Sequence, residues 1–216
     1  MKKEISLVLA TRNRGKIEEM GEYLKGYPLR ILCLDDFGPT PPVEEDGETF
    51  EENAYKKASF VSRILGLPAL ADDSGLVVEA LGGAPGVLSA RYGGEALTDK
   101  ERCDRLLSEM KGVDNRRAAF QCVLSLAVPT GPALTYEASC EGLIAEQPRG
   151  DDGFGYDPIF YYPPFEKTFA QITRKEKGLV SHRGKALNEL KEEFDKVLVW
   201  IRQQMPAAER QGCLGD

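Results

Sequence analysis

Residues 70–76 are LADDSGL, a short apolar run followed by two carboxylates, a hydroxyl and a glycine. The apolar run is typical of the end of a buried strand, and the serine and glycine predict a tight turn after it. Burial would raise the pKa of Asp72 or Asp73 unless a cation compensates. Such a pair is a candidate magnesium ligand or base, and the same residues also fit an ordinary Asx turn.

The elements around this stretch alternate between strand and helix patterns. Residues 5–10 predict a buried strand, and a helix over residues 16–24 follows the polar turn at residues 11–15. Further predicted elements are a strand over 29–34, a helix capped by Thr49 and Glu52, a helix over 98–110, a hairpin of strands over 118–128 and 134–144, and one long helix after Ser181. This order predicts the α/β class, with helices packed on a mixed sheet.

The bulk composition limits the class of protein. A chain of 216 residues with 42% apolar and 29% charged residues fits one domain. No apolar run is long enough to span a bilayer, and the first one is too short for a signal peptide. The five cysteines have no paired spacing, which predicts a cytoplasmic protein without a disulfide framework. The net charge of −7 argues against duplex nucleic acid as a main partner.

Two lysines are candidate phosphate ligands. Lys16 follows the polar turn at residues 11–15, where the start of the predicted helix directs N–H groups and a positive dipole at any bound anion. An ordinary strand–helix connection has the same pattern. Lys57 lies at the border of the apolar face of its helix, where it is either a solvated side chain or a phosphate ligand. The single histidine, His182, excludes zinc sites built from several histidines.

A second glycine-rich segment, GDDGFGYDP at residues 150–158, has two aromatic side chains. Phe154 and Tyr156 either offer a flat face to a nucleotide base or anchor the loop in the core. The cations at the start of the helix after Ser181 oppose the helix dipole, which favours a negatively charged ligand there.

The charged candidates form an acidic and a basic set. The acidic set is Glu44, Glu45, Asp72 and Asp73, and the basic set is Lys16, Lys57, Lys177, His182 and Arg183. Proteins bind polyphosphates with magnesium held by a few carboxylates and with lysines that neutralise the remaining charge. Together with the aromatic loop, these sets predict a nucleotide site.

These residues carry a resemblance to a known family. The segments are TRNRGK (11–16), EE (44–45) before TFEENA (49–54), ADDSGL (71–76), GGAPG (82–86) with SARY (89–92), FGYDP (154–158) and SHRG (181–184). In this order, from Leu7 to about Leu198, they resemble the inosine triphosphate pyrophosphatase family, also called Ham1-like.

The resemblance implies hydrolysis of ITP, dITP and XTP to the monophosphate and pyrophosphate with Mg²⁺, which removes deaminated purines from the nucleotide pool. It also implies a homodimer and an elongated α/β fold, in which helices flank a mixed central sheet and two lobes enclose an active-site cleft. We expect residues 1–205 to form this single domain and residues 206–216 to form a flexible tail.

Site residues are also implied by position. Asp73 would be the proton acceptor, and Glu44 with Asp73 would hold Mg²⁺, although the resemblance leaves Glu44 and Glu45 as alternatives. The implied triphosphate ligands are Thr11, Asn13 and Lys16, with Lys57 assisting, and Arg12, Arg14, Gly15 and Ser74 are implied as further substrate-binding residues. The implied base ligands are Phe154, Gly155, Tyr156, Asp157, Lys177, His182 and Arg183.

The base offers a physical route to selectivity. Hypoxanthine and xanthine carry a carbonyl at C6 and an N1–H, whereas adenine carries an amino group and a bare acceptor. A donor such as Arg183 or the His182 backbone would bind O6, and Asp157 would accept from N1–H. Two other functions remain open: an aspartyl-phosphate phosphatase, although the D-x-D spacing is absent, and a nucleotide-sensing module that does not cleave its ligand.

Overall fold

A computed structural model describes residues 4–205 of the chain. The strands in this part are β1 Ile5–Leu9, β2 Leu29–Cys33, β3 Ala69–Val78, β4 Arg117–Ala127, β5 Ala133–Ile144, β6 Phe160–Tyr162 and β7 Lys167–Thr168. The α-helices are α1 Arg14–Leu24, α2 Phe50–Leu65, α3 Asp99–Glu109, α4 Arg174–Val180, α5 His182–Glu192 and α6 Phe194–Gln204. The predicted tail, residues 206–216, lies outside the described residues.

The strands form a seven-stranded sheet in the order β2-β1-β3-β4-β5-β6-β7. β1 is parallel to β2 and to β3, whereas β6 is antiparallel to β5 and to β7. The register pairs Val8 with Ala69 and Leu9 with Leu70, so β1 ends beside the start of β3. The predicted α/β class, a mixed sheet with flanking helices, is therefore confirmed.

The acidic pair lies inside a strand. β3 runs without interruption from Ala69 through Asp72 and Asp73 to Val78, so the turn predicted at Ser74 and Gly75 is wrong. Gly75 is not among the glycines with positive φ, and the backbone stays extended there. Because most residues of β3 are buried, strand pairing and burial outweigh the local turn preference of a serine–glycine pair.

The chain divides into two compact units. The first contains residues 4–73, 123–136 and 186–205. Small and β-branched residues fill part of its core, among them Val8, Ala58 and Val61. α2 begins as predicted after Thr49, whose Oγ1 accepts a hydrogen bond from Glu52 N at 3.1 Å.

The second unit contains residues Ser74–Cys122 and Glu137–Lys185. Its core is aromatic: Phe120 packs against Phe160 and Phe169, with ring centroids 4.6 and 5.9 Å away. α3 begins after Thr98 and Glu101, which form the predicted capping box.

The C-terminal helices differ from the prediction. The single long helix expected after Ser181 is divided into α5 and α6 at Glu193, where φ is −102° and ψ is 5°. The adjacent Phe194, at the start of α6, packs on Tyr27 with centroids 4.2 Å apart. α4 was not predicted, although Thr173 and Glu176 form a capping box at its start. The single domain over residues 1–205 and the cleft stay predictions.

Between residues 4 and 205, no helix is both long enough and apolar enough to cross a membrane.

Candidate active site

Side chains of the first unit order the turn between β1 and α1. Thr11 Oγ1 accepts a hydrogen bond from Asn13 N at 3.1 Å, and Asn13 Oδ1 accepts one from Lys16 N at 3.2 Å, which makes Asn13 the N-cap of α1. Arg14 and Gly15 begin the first helical turn, which has no acidic residue. The N–H groups and dipole at this helix start therefore favour an anion.

Arg12 lies in the same turn but contacts a more exposed surface. Its Nη1 pairs with Asp35, and its Nη2 donates to Thr40 Oγ1 at 3.0 Å. The side chains of Arg12 and Asp35 are 50% and 73% exposed. Arg12 and Lys16 of the TRNRGK segment each pair with a carboxylate. Of these two, Lys16 is the one that contacts β3.

Lys16 neutralises the first carboxylate of the acidic pair. Its Nζ forms an ion pair with the Asp72 carboxylate and lies 3.3 Å from the Asp72 carbonyl oxygen. The Asp72 side chain is completely buried, so a compensating cation is required for it to stay ionised. This contact brings the helix start at Lys16 to the centre of β3.

Lys57 binds the second carboxylate. Its Nζ lies 2.6 Å from Asp73 Oδ1, 3.0 Å from the Asp72 carbonyl oxygen and 3.4 Å from Glu45 Oε1. Lys57 is buried, which excludes the solvated side chain that its border position allowed. Burial lowers the pKa of Lys57, but the nearby Asp73 and Glu45 carboxylates outweigh it and raise the pKa overall, so this lysine is a cation.

Burial is the largest of the influences on the pKa of Asp73. Loss of hydration raises the pKa of this carboxyl, and the adjacent Lys57 and the nearby Lys16 lower it only in part, so the pKa lies above its ordinary value. A carboxylate with a raised pKa is a stronger proton acceptor. Its burial and its neighbours are therefore appropriate for a general base.

Glu44 and Glu45 differ in their surroundings. Glu45 is partly buried and lies at Lys57, whereas Glu44 is exposed. Glu45 and Asp73 thus both lie at the Lys57 ammonium group. Of Glu44 and Glu45, it is Glu45 that the structure places beside the acidic pair.

The donor set fits magnesium. Among residues 4–205, no cluster of three or more histidine, cysteine, aspartate or glutamate side chains forms a complete metal cage. Mg²⁺ is usually held by one or two carboxylates, with waters and substrate phosphates as its other ligands. Asp73 and Glu45, which share the Lys57 ammonium, supply two such carboxylates.

The second unit holds the 153–157 loop around Asp157. The Asp157 Oδ2 atom accepts hydrogen bonds from Phe154 N at 2.9 Å and from Lys177 Nζ at 2.6 Å. A Cβ at Gly153 would lie 2.1 Å from the same oxygen, and φ there is +81°, so only glycine fits. Asp157 and Lys177 are both buried and form the charged centre of this loop.

Two cations face the ring of Phe154. Lys177 Nζ lies 4.6 Å and Arg183 Cζ 5.6 Å from its centroid. Arg183 is almost completely buried, and its Nη2 donates to Ser74 Oγ at 2.8 Å. Ser74 directly follows Asp73 in the chain, so the predicted residues Ser74, Phe154, Lys177 and Arg183 form a connected group in this unit.

His182 stacks on a residue that the sequence analysis missed. Its ring lies parallel to that of Phe120, with centroids 4.7 Å apart and planes 12° apart. Phe120 lies on β4, which the sequence pattern identified only as an apolar hairpin strand. The contact spans 62 positions, since 182 − 120 = 62, and no local pattern predicts it.

Gly155 and Tyr156 belong to the same loop, but the Tyr156 side chain is buried in the core. Its hydroxyl donates to the Ser89 carbonyl at 2.9 Å, so of the two interpretations of this aromatic residue the anchor is supported.

A cavity of about 1160 Å³ lies elsewhere in the second unit. Its walls include Val77, Arg117, Glu141, Tyr162 and Lys185. None of the predicted site residues lines this cavity.

Comparison with known proteins gives consistent matches. A family model described as the Ham1 family matches residues 7–193. The dITP/XTP pyrophosphatase of Syntrophobacter fumaroxidans is 62% identical over 195 residues, which cover 90% of this chain and 84% of the relative. The enzyme of the same name from Geobacter sulfurreducens is 52% identical over 188 residues, or 86% of this chain and 94% of the relative.

Solved structures agree with these relatives. A HAM1 protein from Coxiella burnetii matches with a TM-score of 0.82 at 43% identity, covering 89% of this chain and 99% of that protein. The Ham1 protein of Staphylococcus aureus matches with a TM-score of 0.80 at 39% identity, covering 88% of this chain and 98% of that protein. Since the family model and the relatives both span most of the sequence, the chain belongs to the Ham1 family.

Proposed function

We propose that this protein hydrolyses purine nucleoside triphosphates with a deaminated base, ITP, dITP and XTP, to the monophosphate and pyrophosphate. The observation that carries the proposal is the buried cluster around Lys57, whose Nζ lies 2.6 Å from Asp73 Oδ1 and 3.4 Å from Glu45 Oε1. A relative named dITP/XTP pyrophosphatase that is 62% identical supports the substrate class.

In this mechanism the first unit binds the triphosphate. The ammonium groups of Lys16 and Lys57 neutralise phosphate oxygens. The α1 N-terminus, ordered by Thr11 and Asn13, supplies N–H donors. The remaining residues of the segment, Arg12, Arg14 and Gly15, are further substrate-binding residues in this proposal.

Asp73 accepts the proton of the attacking water. The water oxygen forms the new bond to phosphorus, the α–β anhydride bond breaks, and pyrophosphate leaves with the bonding electrons. Asp73 and Glu45 would hold Mg²⁺, which would draw negative charge from the phosphate oxygens. We assign this role to Glu45, not Glu44, because Glu45 lies at Lys57 and Glu44 is exposed.

In the second unit, Lys177 and Arg183 discriminate purines that carry a C6 carbonyl from adenine. Both side chains are buried, and both can only donate hydrogen bonds. The C6 carbonyl of hypoxanthine or xanthine accepts from them, whereas the C6 amino group of adenine has no lone pair to offer and is left unpaired. Phe154 provides the aromatic surface, and Asp157, His182, Gly155 and Ser74 complete the group.

A panel of nucleoside triphosphates with magnesium tests this function. ITP, dITP and XTP are expected to give monophosphate and pyrophosphate, and ATP is expected to be cleaved far more slowly. Release of orthophosphate would favour the phosphatase alternative. Unchanged ITP after prolonged incubation would favour a sensing module.

Assembly and location are part of the proposal. We expect a homodimer that acts on free nucleotides in the cytoplasm, without nucleic acid or membrane partners, and one domain over residues 1–205. The four cysteines within the described residues are free thiols, which supports a reducing compartment. Light scattering is expected to give twice the chain mass of 23.8 kDa, and a mass of 23.8 kDa would contradict the dimer.

A further inference from the structure

Two segments outside the 153–157 loop form hydrogen bonds with it, and neither segment has a function assigned above. One is the 3-10 helix Gly86–Arg91, and the other is α3. Both belong to the second unit. The loop needs such support because Gly153 and Gly155 have φ of +81° and +61°, and glycine-rich segments lose much conformational entropy when they are ordered.

The first support is Ser89. Its carbonyl accepts the hydrogen bond from the buried Tyr156 hydroxyl at 2.9 Å. Its own hydroxyl accepts from Leu76 N at 2.9 Å and donates to the Gly86 carbonyl at 2.7 Å. Ser89 is therefore fastened to β3, and Tyr156 is fastened to Ser89.

The second support is the start of α3. Asp99 Oδ2 accepts from Gly155 N at 2.8 Å, and Asp99 Oδ1 accepts from Arg102 Nη1 at 3.0 Å. One turn further on, Cys103 Sγ lies 3.4 Å from the Gly155 carbonyl oxygen, to which it donates. Both the N–H and the carbonyl of Gly155 are thus bonded to α3.

We infer that Ser89 and Asp99 are positioning residues that fix the 153–157 loop from opposite ends of the segment Gly155–Tyr156, and thereby set the discrimination between purine bases. The inference rests on the proposed function. Phe154 and Asp157 flank the two anchored residues, so a shift of Gly155 or Tyr156 moves the aromatic ring and the Asp157–Lys177 pair together. A loop held in one conformation can leave a mismatched base unpaired, whereas a mobile loop adapts to it.

The test uses Asp99→Ala and, as a matched control, Glu101→Ala. Glu101 Oε2 accepts from Thr98 N at 2.8 Å, so its removal also weakens the start of α3, but no described contact joins it to the 153–157 loop. The main readout is kcat/KM for ITP divided by kcat/KM for ATP. We expect Asp99→Ala to lower this ratio about tenfold, as for one hydrogen bond to a charged group, and Glu101→Ala to leave it unchanged.

Two further variants separate positioning from a general loss of structure. Asp99→Asn keeps an acceptor for Gly155 N and is expected to recover most of the ratio. Tyr156→Phe removes only the hydroxyl bonded to Ser89 and is expected to lower the ratio like Asp99→Ala. Equal ratios in Asp99→Ala, Tyr156→Phe and the wild type would overturn the inference, and so would an equal loss in Glu101→Ala.

Amide hydrogen exchange of a peptide covering residues 150–160 provides a readout independent of activity. Exchange is expected to be faster in Asp99→Ala than in the wild type and unchanged in Glu101→Ala. If the wild-type protein does not hydrolyse ITP, the proposed function fails while the exchange result still decides whether Asp99 holds the loop. If ITP is hydrolysed and exchange is the same in all variants, only the positioning role fails.

Discussion

The buried ion pair between Asp157 and Lys177 allows a quantitative prediction. The 2.6 Å contact joins side chains that are 2% and 6% exposed, so water cannot replace either partner. Asp157→Asn leaves the Lys177 ammonium buried without its carboxylate, which costs about 3–5 kcal/mol of unfolding free energy. For a chain of this size, that loss lowers Tm by about 6–20 °C.

The assay is urea and thermal unfolding of a double-mutant cycle. Lys177→Met removes the buried charge, so Asp157→Asn with Lys177→Met is expected to lose less stability than the sum of the single variants, by about 1–3 kcal/mol. Asp46 and Lys56 form the matched control, an aspartate–lysine pair at 2.8 Å whose side chains are 68% and 42% exposed. Breaking this exposed pair with Asp46→Asn is expected to leave Tm nearly unchanged.

The outcome that would refute this reasoning is equally specific. If Asp157→Asn lowers Tm no more than Asp46→Asn does, the Asp157–Lys177 pair is not shielded from water. If the double variant loses the full sum of the two single losses, the carboxylate and the ammonium do not interact.

Three further variants test the first unit. Asp73→Asn is expected to retain its circular-dichroism spectrum and to lose about 10²–10⁴-fold in kcat for ITP; a collapsed spectrum would show a structural role instead. Lys57→Met is expected to lower unfolding free energy by about 3–5 kcal/mol because it leaves the buried Asp73 carboxylate without the lysine that contacts it, while Lys56→Met changes Tm little; equal effects would contradict the burial of Lys57. Lys16→Ala is expected to raise KM for ITP about 10- to 100-fold and also to lower Tm, because it removes the cation paired with the buried Asp72 carboxylate; a wild-type KM would contradict its role in triphosphate binding.

Local patterns predicted the parts of the fold that depend on local interactions. The capping residues Thr49 and Thr98 mark where α2 and α3 begin, because a helix N-terminus needs nearby acceptors for its N–H groups. The turn at Ser74 and Gly75 was wrong because pairing and burial of β3 hold these residues in an extended strand. The division at Glu193 was not predicted either, and the adjacent Phe194 packs on Tyr27, a contact between distant parts of the sequence.

The features of the candidate site likewise divide into those that the sequence predicted and those that depend on long-range contacts. Residue type and motif predicted its charged residues, and the structure places Lys16 and Lys57 at the acidic pair. Whether Glu44 or Glu45 reaches Lys57 could not be predicted, because both lie in an irregular proline-rich loop without periodicity. The contacts of Phe120, Ser89 and Asp99 with His182, Tyr156 and Gly155 could not be predicted, because each joins distant parts of the sequence.

The most direct measurement of the proposed activity is a competition between equimolar ITP and ATP with magnesium, in which anion-exchange chromatography separates the nucleotides and ³¹P NMR identifies the released phosphate species. Buried donors at Lys177 and Arg183 together with a base at Asp73 predict that ITP is replaced by a monophosphate and pyrophosphate while ATP persists. Consumption of both nucleotides at equal rates would contradict the selectivity, and the appearance of inosine diphosphate with orthophosphate would contradict the reaction itself.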